Sequence, residues 1–467
     1  MIEQLYTIFL NHPLVCTDTR DIKPGSIFFA LKGGNFNGNQ FAEKAIEMGC
    51  AYAVIDEEIV ASKDHTGTDQ FPLKKGVRGI YGKFVVVENV LATLQQLANH
   101  HRKQLNIPVI GITGSNGKTT SKELINVVLS KKYKVLATVG NLNNHIGVPL
   151  TLLNITKDHE IAIIEMGANH QGEIAELSNI AEPDFGIITN IGKAHLEGFG
   201  GIEGVKKGKS ELYKYIQNKQ GLPAARLSDG QGQAGKLFVH GDDEVLLELA
   251  GSTEKVTYGT KKLYDIVGAV AANASEFISF QWATRYNALN VKKSELVSTQ
   301  LVGMYNYYNL LCAACVGHYF KVEDELINKA LKEYSPSNNR SQLYKTKSNT
   351  LILDYYNANP SSMSLAIENF ASLSHPNKMV ILGDMLELGS ESEKEHDAIV
   401  NLLQQKNISN AILVGPLFMA SVKNTNTKAF STSEEAVEFL KQNKIADSTI
   451  LIKGSRGIKL EKIVEVL

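Results

Sequence analysis

The sequence predicts an α/β protein of three domains whose central domain is a parallel sheet carrying a phosphate-binding loop. Three observations predict it. The chain has 467 residues, and domains average about 100 to 200. Apolar strand-like runs alternate with helical segments along most of the chain. A glycine-rich turn follows one such run within residues 107–120. We place the domains at residues 1–88, 89–334 and 335–467.

Composition excludes several classes of protein. Hydrophobic residues make up 43% of the chain and charged residues 21%, which is ordinary for a globular protein. The net charge is -1, so the composition lacks the excess of basic residues that is typical of nucleic-acid-binding proteins. The N-terminus has no basic leader, and no apolar run reaches the roughly 18 residues of a membrane span. We therefore expect a cytoplasmic protein. The four cysteines are too scattered for a disulfide framework, and Cys312 and Cys315 lie in an apolar helical run typical of a core.

The first domain shows strand-like runs at residues 27–31 and 51–55 with a helical pattern between them. The segments Thr17 to Arg20 and Lys32 to Gly38 could together hold a phosphate group. An exposed hairpin loop explains the glycine-rich segment equally well. Residues 61–83, of mixed charge, are expected to form a surface loop.

The phosphate-binding loop opens the second domain. Val109, Ile110 and Ile112 predict a buried strand, a helix is expected from about Thr119, and its N-terminal dipole favours an anion. Lys118 would reach the terminal phosphates and Thr119 a magnesium ion. The glycines are closer together than in the common motif, and a turn without a ligand is the alternative. The residues expected to bind nucleotide here are Gly114, Ser115, Asn116, Gly117, Lys118, Thr119 and Thr120.

Polar residues follow the strand-like runs 161–164 and 185–188. Glu165 follows the first, and His195 lies in the glycine-rich loop after the second. Ligands gather at the carboxyl ends of parallel strands, so Glu165 is placed to offer an oxygen to magnesium. A histidine in such a loop is more often simply exposed. Residues 201–213 predict a basic helix of the kind that is usually solvated, and residues 221–236 predict a flexible insertion.

The last domain repeats the α/β pattern after a polar hinge at residues 335–340. Its strand-like runs lie at residues 351–353, 379–382, 411–414 and 449–452. Polar segments follow three of these runs, and Pro360 suits a first helical position.

Together these segments resemble the Mur ligase family. The matching segments are Thr113 to Thr119, Asn141 to Pro149, Glu165 to His170, His195, Asp354 to Pro360, Gly383 to Gly389 and Lys453 to Arg456. The resemblance implies a domain that binds a nucleotide sugar, an ATPase domain and a Rossmann-like closing domain. The Tyr-Asn-Ala-Asn-Pro and Gly-Asp-Met-Leu-Glu-Leu-Gly segments are most similar to members that join D-alanyl-D-alanine to a UDP-MurNAc-tripeptide.

The resemblance also implies ligands for particular residues. ATP would contact Asn306 and Arg340, the muramyl peptide Asn143 and Asn144, and the uridine diphosphate Thr19, Arg20 and Lys32. Asn357 and Asn359 fall in the segment that would meet D-Ala-D-Ala. Thr119 and Glu165 would hold one magnesium ion, and His195 and Lys209 a second. Lys209 matches a lysine that the family carbamylates, and Lys118, His195 and Lys209 are the catalytic candidates.

Three departures from the family pattern leave contacts open, at Asn37 to Asn39, His240 to Asp243 and Tyr355 to Tyr356. The alternatives are a sister ligase that adds a single amino acid, or an ATPase whose hydrolysis drives a conformational change. The sequence does not distinguish diaminopimelate from lysine in the tripeptide. We expect a monomer, although oligomeric state cannot be read from the sequence.

Overall fold

The computed structural model describes residues 1–34, 36–57, 78–219, 235–271, 276–422 and 427–467. Within these ranges the strands form three open sheets and one short hairpin. The sheets follow one another along the chain, in residues 15–86, 109–302 and 342–453. The predicted α/β fold and the order of its three parts are confirmed. The boundaries near residues 88 and 335 remain a proposal.

The first sheet is mostly parallel and has the order β1-β2-β5-β7-β6. Its strands are β1 (Val15–Cys16), β2 (Ile27–Phe29), β5 (Tyr52–Ile55), β6 (Gly79–Tyr81) and β7 (Phe84–Val86). The separate hairpin consists of β3 (Lys32–Gly33) and β4 (Phe36–Asn37). The helices are α1 (Ile2–Asn11), α2 (Ala42–Glu47) and α3 (Val90–Gln104). The prediction of a loop over residues 61–83 is wrong for its last residues. There β6 pairs antiparallel with β7 through a turn at Gly82, which has φ of 58°. Most of that loop lies outside the described residues.

The second sheet has the order β16-β15-β14-β13-β12-β11-β8-β10-β9. Its strands are β8 (Val109–Thr113), β9 (Val135–Ala137), β10 (Ile161–Glu165), β11 (Phe185–Ile188), β12 (Lys236–His240), β13 (Lys255–Gly259), β14 (Ile266–Val270), β15 (Phe277–Thr284) and β16 (Val297–Val302). The sheet is parallel from β9 to β14, as predicted. The prediction of a purely parallel sheet is wrong for β15 and β16, which are joined antiparallel without crossover helices.

Helices cover both faces of this sheet. They are α4 (Lys118–Leu129), α5 (Gly147–Leu153), α6 (Glu173–Ala181), α7 (Leu196–Phe199), α8 (Ile202–Asn218), α9 (Glu244–Ala250), α10 (Tyr307–Tyr319) and α11 (Asp324–Glu333). Ile110 and Ile112 pack in the apolar cluster with α4 and α10, where Cys312 is buried as a free thiol, as the apolar run predicted. Val109 belongs to the cluster that contains α6 and α8. A strand buried on both faces reads as an unbroken apolar run.

The third sheet has the order β17-β18-β22-β19-β20-β21 and is parallel except at β17. Its strands are β17 (Gln342–Lys345), β18 (Asn349–Asp354), β19 (Lys378–Gly383), β20 (Ala411–Val414), β21 (Lys428–Phe430) and β22 (Ser448–Lys453). The helices are α12 (Pro360–Ser372), α13 (Ser392–Gln405), α14 (Pro416–Ser421), α15 (Ser433–Gln442) and α16 (Glu461–Val464). Pro360 takes the first position of α12, as predicted.

Three further expectations can be compared with the structure. Across the described ranges, no helix combines the length and the hydropathy needed to cross a bilayer. The insertion predicted at residues 221–236 falls almost entirely outside the described residues. Residues 202–218 form α8, so the helix predicted there is confirmed.

Candidate active site

The loop between β8 and α4 is shaped by two glycines. Gly114 has φ of 142° and Gly117 has φ of 77°, both in the region that side chains rarely adopt. A Cβ atom on Gly114 would lie 2.0 Å from the hydroxyl of Thr189, and one on Gly117 would lie 2.8 Å from Oδ1 of Asn309. The loop is therefore pressed against the end of β11 and the start of α10, and neither position accepts a side chain.

Lys118 begins α4 and folds back over the loop. Its Nζ donates to the carbonyl oxygens of Gly114 at 2.6 Å and Ser115 at 3.3 Å. Burial lowers the pKa of the Lys118 ammonium to about 8, and Arg340 adds repulsion while Glu165 attracts it. An anion placed in the loop would supply the charge partner that this ammonium lacks.

A buried carboxylate faces the start of α4. Glu165 is 1% exposed, and its Oε1 accepts hydrogen bonds from Thr119 Oγ1 at 3.1 Å and Asn143 Nδ2 at 2.8 Å. Its Oε2 is buried without a hydrogen-bond partner, and the ammonium of Lys122 is 3.8 Å away. An unpaired buried carboxylate oxygen beside a threonine hydroxyl is a donor set that suits Mg²⁺. Over the described ranges, no three His, Cys, Asp or Glu side chains converge as a ready metal cluster.

These groups open into a cleft of about 860 Å³ between the second and third parts of the chain. Most of the predicted site residues line it. They are Ser115, Asn116, Gly117, Lys118, Thr119, Thr120, Asn143, Asn144, Glu165, His195, Asn306, Arg340, Asn357 and Asn359. Gly114, the first residue of the loop, is not among the residues that line the cleft. The lining residues therefore share one cleft, and their individual roles stay predictions.

Asn306 and Arg340 stand at the side of the cleft formed by α10. Asn306 is 3% exposed and donates to Val302 O at 2.9 Å and to Ser341 Oγ at 3.1 Å. Its Oδ1 accepts from Asn309, so the amide is held in one orientation. The guanidinium of Arg340 lies 3.9 Å from the ring centre of Tyr356. This side offers an aromatic face, a cation and fixed amides.

Asn143 and Asn144 stand at the opposite side, before α5. The carbonyl oxygen of Asn143 accepts from Gly167 N at 2.7 Å, while its side chain reaches Glu165. Oδ1 of Asn144 accepts from Ile146 N at 3.1 Å and from Gly147 N at 2.9 Å, which fixes the turn that leads into α5. Hydrogen bonds made by Asn143 and Asn144 hold the segment in place. Both residues line the cleft.

Third-domain side chains reach across the cleft to the phosphate-binding loop. Asn359 caps α12 by accepting from Ser362 N, and its Nδ2 donates to Asn116 Oδ1 at 2.7 Å. Ser361 Oγ accepts from Lys193 N at 2.9 Å. Asn357 lines the cleft nearby and bonds only to the next backbone amide among its hydrogen bonds in the described ranges. The loop and the third sheet thus form one continuous polar surface.

His195 lies on the same interface. It has φ of 51°, and its Nδ1 hydrogen-bonds to Oε2 of Glu387 in the third domain. That hydrogen bond holds the pKa of the Glu387 carboxyl below its usual range. Glu387 is the glutamate of the Gly-Asp-Met-Leu-Glu-Leu-Gly segment. The histidine therefore makes an interdomain contact in addition to facing the cleft.

Lys209 lies behind the cleft wall on α8 and is fully buried. Its Nζ donates to Ala168 O at 3.2 Å and lies 5.0 Å from the ring centre of Phe199. Burial pushes the pKa of the Lys209 amine well below its usual range, and the charge of Lys118 pushes it in the same direction. The expectation of a solvated face for this helix is wrong at Lys209. No contact joins Lys209 to His195 in the described structure, so their shared ion remains a prediction.

The first-domain candidates stand apart from this cleft. Arg20 pairs with Asp18, and Lys32 forms ion pairs of 2.8 Å with both Asp56 and Glu57. Lys32 begins the exposed β3–β4 hairpin, in keeping with the hairpin alternative. Thr19 starts a short 3₁₀ turn that Asp18 caps. The roles predicted for Thr19, Arg20 and Lys32 remain untested.

Sequence reasoning placed polar residues at the strand ends but missed their pairing. Asp354 and Lys453 are register partners at the ends of β18 and β22, and their side chains form a 2.5 Å ion pair in the cleft. His240, at the end of β12, has its ring centre 3.8 Å from that of Tyr308. Burial lowers the pKa of His240 and favours its neutral form. The adjacency of strand ends was a usable signal for the first pair, but none existed for the second.

Comparison with known families gives three matches in chain order. Residues 13–102 match the Mur ligase family catalytic domain, residues 112–317 the Mur ligase middle domain, and residues 339–456 the Mur ligase glutamate ligase domain.

Full-length relatives give the same result. The chain is 34% identical to the UDP-N-acetylmuramoyl-tripeptide–D-alanyl-D-alanine ligase of Bacillus subtilis, across 97% of this chain and 92% of that protein. It is 30% identical to the Escherichia coli enzyme of the same name, across 97% and 93%. A crystal structure of MurF from Acinetobacter baumannii superimposes with a TM-score of 0.81 at 28% identity, covering 100% of this chain and 98% of that one. MurF ligase from Thermotoga maritima, solved in complex with ADP, shares the fold with a TM-score of 0.78 at 24% identity, covering 98% and 97%.

Proposed function

The chain belongs to the Mur ligase family, and from this we infer that it joins D-alanyl-D-alanine to UDP-N-acetylmuramoyl-tripeptide while converting ATP to ADP and phosphate. The reaction is an amide ligation in peptidoglycan precursor synthesis. One observation of the structure carries the assignment. The phosphate-binding loop, with Lys118 and the unpaired Glu165 oxygen, faces the polar strand ends of the third domain across a single cleft.

The chemistry requires an activated carboxylate, because oxide is a very poor leaving group. A carboxylate oxygen of the tripeptide attacks the γ-phosphorus of ATP, the bond to the bridging oxygen breaks, and ADP leaves. The amine of D-Ala-D-Ala then attacks the acyl carbon, and the tetrahedral intermediate collapses with phosphate as the leaving group. Negative charge spreads over the transferred phosphoryl oxygens in the first step, and Lys118 is positioned to stabilise it.

Mg²⁺ fits the residues present. Thr119 and Glu165 would hold the ion that accompanies ATP, and the ion would neutralise charge on the phosphates. Without the ion, Oε2 of Glu165 has no hydrogen bond among the described residues and only the ammonium of Lys122 at 3.8 Å, so its burial costs free energy. Asn306 and Arg340 are the proposed contacts for the rest of the nucleotide.

The other substrate contacts follow the same proposal. Asn143 and Asn144, on the far side of the cleft, would meet the peptide of the nucleotide sugar. Asn357 and Asn359 would meet the incoming dipeptide beside the loop. Thr19, Arg20 and Lys32 would bind the uridine diphosphate, and this requires Lys32 to exchange a carboxylate partner for phosphate.

Lys209 is proposed to carry a carbamate. Burial lowers the pKa of the Lys209 amine and so favours its neutral form, and a neutral amine adds to carbon dioxide with loss of a proton. The product is an anionic oxygen donor near Ala168 and the cleft wall, where it would help His195 to hold a second Mg²⁺.

Rescue by a small acid tests the carbamate. Lys209→Ala is expected to lose about 100-fold in kcat because an electrostatic group of the site is removed, and added acetate or formate is expected to restore part of the activity. Lys207→Ala, an exposed position on the same helix, is the matched control and should keep wild-type activity. Lys118→Ala should not be rescued by either acid, and if the acids also fail to raise the activity of Lys209→Ala, the carbamate assignment is wrong.

Domain closure is a further expectation, because catalytic groups come from both sides of the cleft. In the structure a few polar contacts join the two sides, including Asn359 to Asn116 and His195 to Glu387. We expect the radius of gyration in small-angle scattering to fall when a non-hydrolysable ATP analogue and the tripeptide substrate bind. Glu387→Ala should enlarge the ligand-free protein. A radius of gyration that is unchanged in both measurements would contradict closure of the cleft between the second and third domains.

We place the reaction in the cytoplasm because it consumes ATP and a UDP-linked precursor, and we propose that the protein acts as a monomer. One chain supplies this cleft, since the predicted nucleotide-binding residues other than Gly114 all line it. No subunit contact is needed to supply them.

The assignment is tested by acceptor-dependent phosphate release. The protein is incubated with ATP, Mg²⁺ and UDP-MurNAc-tripeptide, and phosphate is measured with D-Ala-D-Ala, with single amino acids or without an acceptor. We expect release only with D-Ala-D-Ala. Release with a single amino acid would favour the sister-ligase alternative, and release indifferent to any acceptor would favour an ATPase that drives a conformational change.

A further inference from the structure

One edge of the second sheet carries an exposed projection. The start of β14 and the end of β15 meet there, with Ile266 opposite Thr284 and Arg285 N donating to Asp265 O at 2.8 Å. The residues just before β14 and the 3₁₀ segment Arg285–Lys293 after β15 are therefore neighbours. We call residues 261–263 and 285–293 the edge patch.

The apolar side chains of the edge patch point into solvent. Tyr286 is 96% exposed, Leu289 80% and Leu263 64%, whereas Ala288 is the residue that the 3₁₀ segment buries. Single exposed apolar residues are ordinary, but three on one projection form a patch that the fold itself does not use. Such exposure indicates protruding tips and not the walls of a groove.

The same patch is strongly basic. Its cations are Lys261, Lys262, Arg285, Lys292 and Lys293, all exposed, and none forms an ion pair with another described residue. The neighbouring acids are already engaged, since Asp265 accepts from Thr257 and Glu295 pairs with Lys332. A chain with a net charge of -1 thus concentrates uncompensated positive charge around three apolar tips.

We propose that the edge patch binds the surface of an anionic lipid bilayer. Lysine and arginine attract anionic headgroups, while tyrosine and leucine side chains enter the boundary between headgroups and acyl chains. Isolated protruding tips need no shaped complement in a bilayer, whereas a protein partner would have to provide a pocket for each. Binding is peripheral, because the patch consists of a nine-residue 3₁₀ segment and three loop residues before β14.

Vesicle sedimentation tests the proposal with the full-length protein. We expect binding to vesicles containing phosphatidylglycerol at low salt, little binding to phosphatidylcholine alone, and release in about 0.5 M NaCl, because screening then limits electrostatic attraction to a few ångströms. At roughly one order of magnitude in affinity for each 1.4 kcal/mol, Lys292→Glu with Lys293→Glu should weaken binding by about thirtyfold or more. Tyr286→Ser with Leu289→Ser should also weaken it. The matched control is Lys345→Glu with Lys347→Glu, an exposed pair in the third domain.

The outcomes are distinct. Loss of vesicle binding in both patch variants, with the control pair binding normally and ligase kinetics unchanged, supports the proposal. Equal binding to neutral and anionic vesicles, no binding at low salt, or binding unaffected by the patch variants overturns it. Retention of transfer RNA by the wild type but not by Lys292→Glu with Lys293→Glu, without vesicle binding, would assign the patch to nucleic acid.

Discussion

Lys118→Met is expected to lower kcat/KM for ATP by about 10³-fold, because it removes the cation that stabilises charge on the transferred phosphoryl group. Methionine preserves the length and packing of the side chain and removes its charge. The hydrogen bonds that Lys118 donates to Gly114 O and Ser115 O are lost in this variant. Steady-state kinetics with saturating second substrates measures the effect.

The same residue predicts a pH dependence. Burial lowers the pKa of Lys118 to about 8, so its ammonium is present below that pH and lost above it in the free protein. The protonated form binds phosphate, and kcat/KM for ATP should therefore fall as pH rises through about 8. Lys118→Met should lack this alkaline limb. Lys157→Met, an exposed lysine of the same domain, should keep both the rate and the limb. A variant that retains the limb would show that another group titrates.

Glu165→Gln is expected to lower kcat by about 10² to 10³-fold at ordinary Mg²⁺ concentrations and to raise the Mg²⁺ concentration needed for half-maximal rate. The substitution removes the charge and keeps the hydrogen bonds, because the amide oxygen of glutamine can still accept hydrogen bonds from Thr119 and Asn143. The unpaired Oε2, however, is replaced by an NH₂ group that cannot bind a cation. The variant therefore removes charge and a metal donor with little change of shape.

A titration of rate against Mg²⁺ measures this effect. Glu203→Gln, an exposed position at the start of α8, is the control and should follow the wild-type curve. Thermal unfolding of Glu165→Gln should occur below that of the wild type, because both hydrogen bonds persist but the buried ion pair with Lys122 at 3.8 Å is lost. If the Mg²⁺ requirement were unchanged while activity fell, Glu165 would act on the substrate and not on the ion.

Local patterns predicted the loop and its strand ends. The buried strand before Gly114, the helix starting at Lys118 and the carboxylate ending β10 all follow from apolar runs and from what must lie at the edge of a parallel sheet. These features depend on residues within a few positions of one another. The same reasoning found Pro360 at the start of α12.

Contacts between distant segments could not be read in this way. Asn116 and Asn359 are 243 positions apart, and their hydrogen bond depends on how the third domain sits against the loop. The burial of Lys209 depends on the packing of α8 against the sheet, since its sequence neighbours are charged and suggest a solvated face. The antiparallel pairing of β15 and β16 was not predicted either, because the residue pattern of a strand does not show whether it pairs parallel or antiparallel.

The acyl phosphate is the central claim, and oxygen transfer tests it most directly. UDP-MurNAc-tripeptide labelled with ¹⁸O in its reacting carboxylate is incubated with the protein, ATP, Mg²⁺ and D-Ala-D-Ala, and the released phosphate is analysed by mass spectrometry. The account predicts one ¹⁸O atom in each phosphate, because the carboxylate oxygen that attacks the γ-phosphorus leaves with it. Unlabelled phosphate would contradict the account, since it would mean that water attacked ATP.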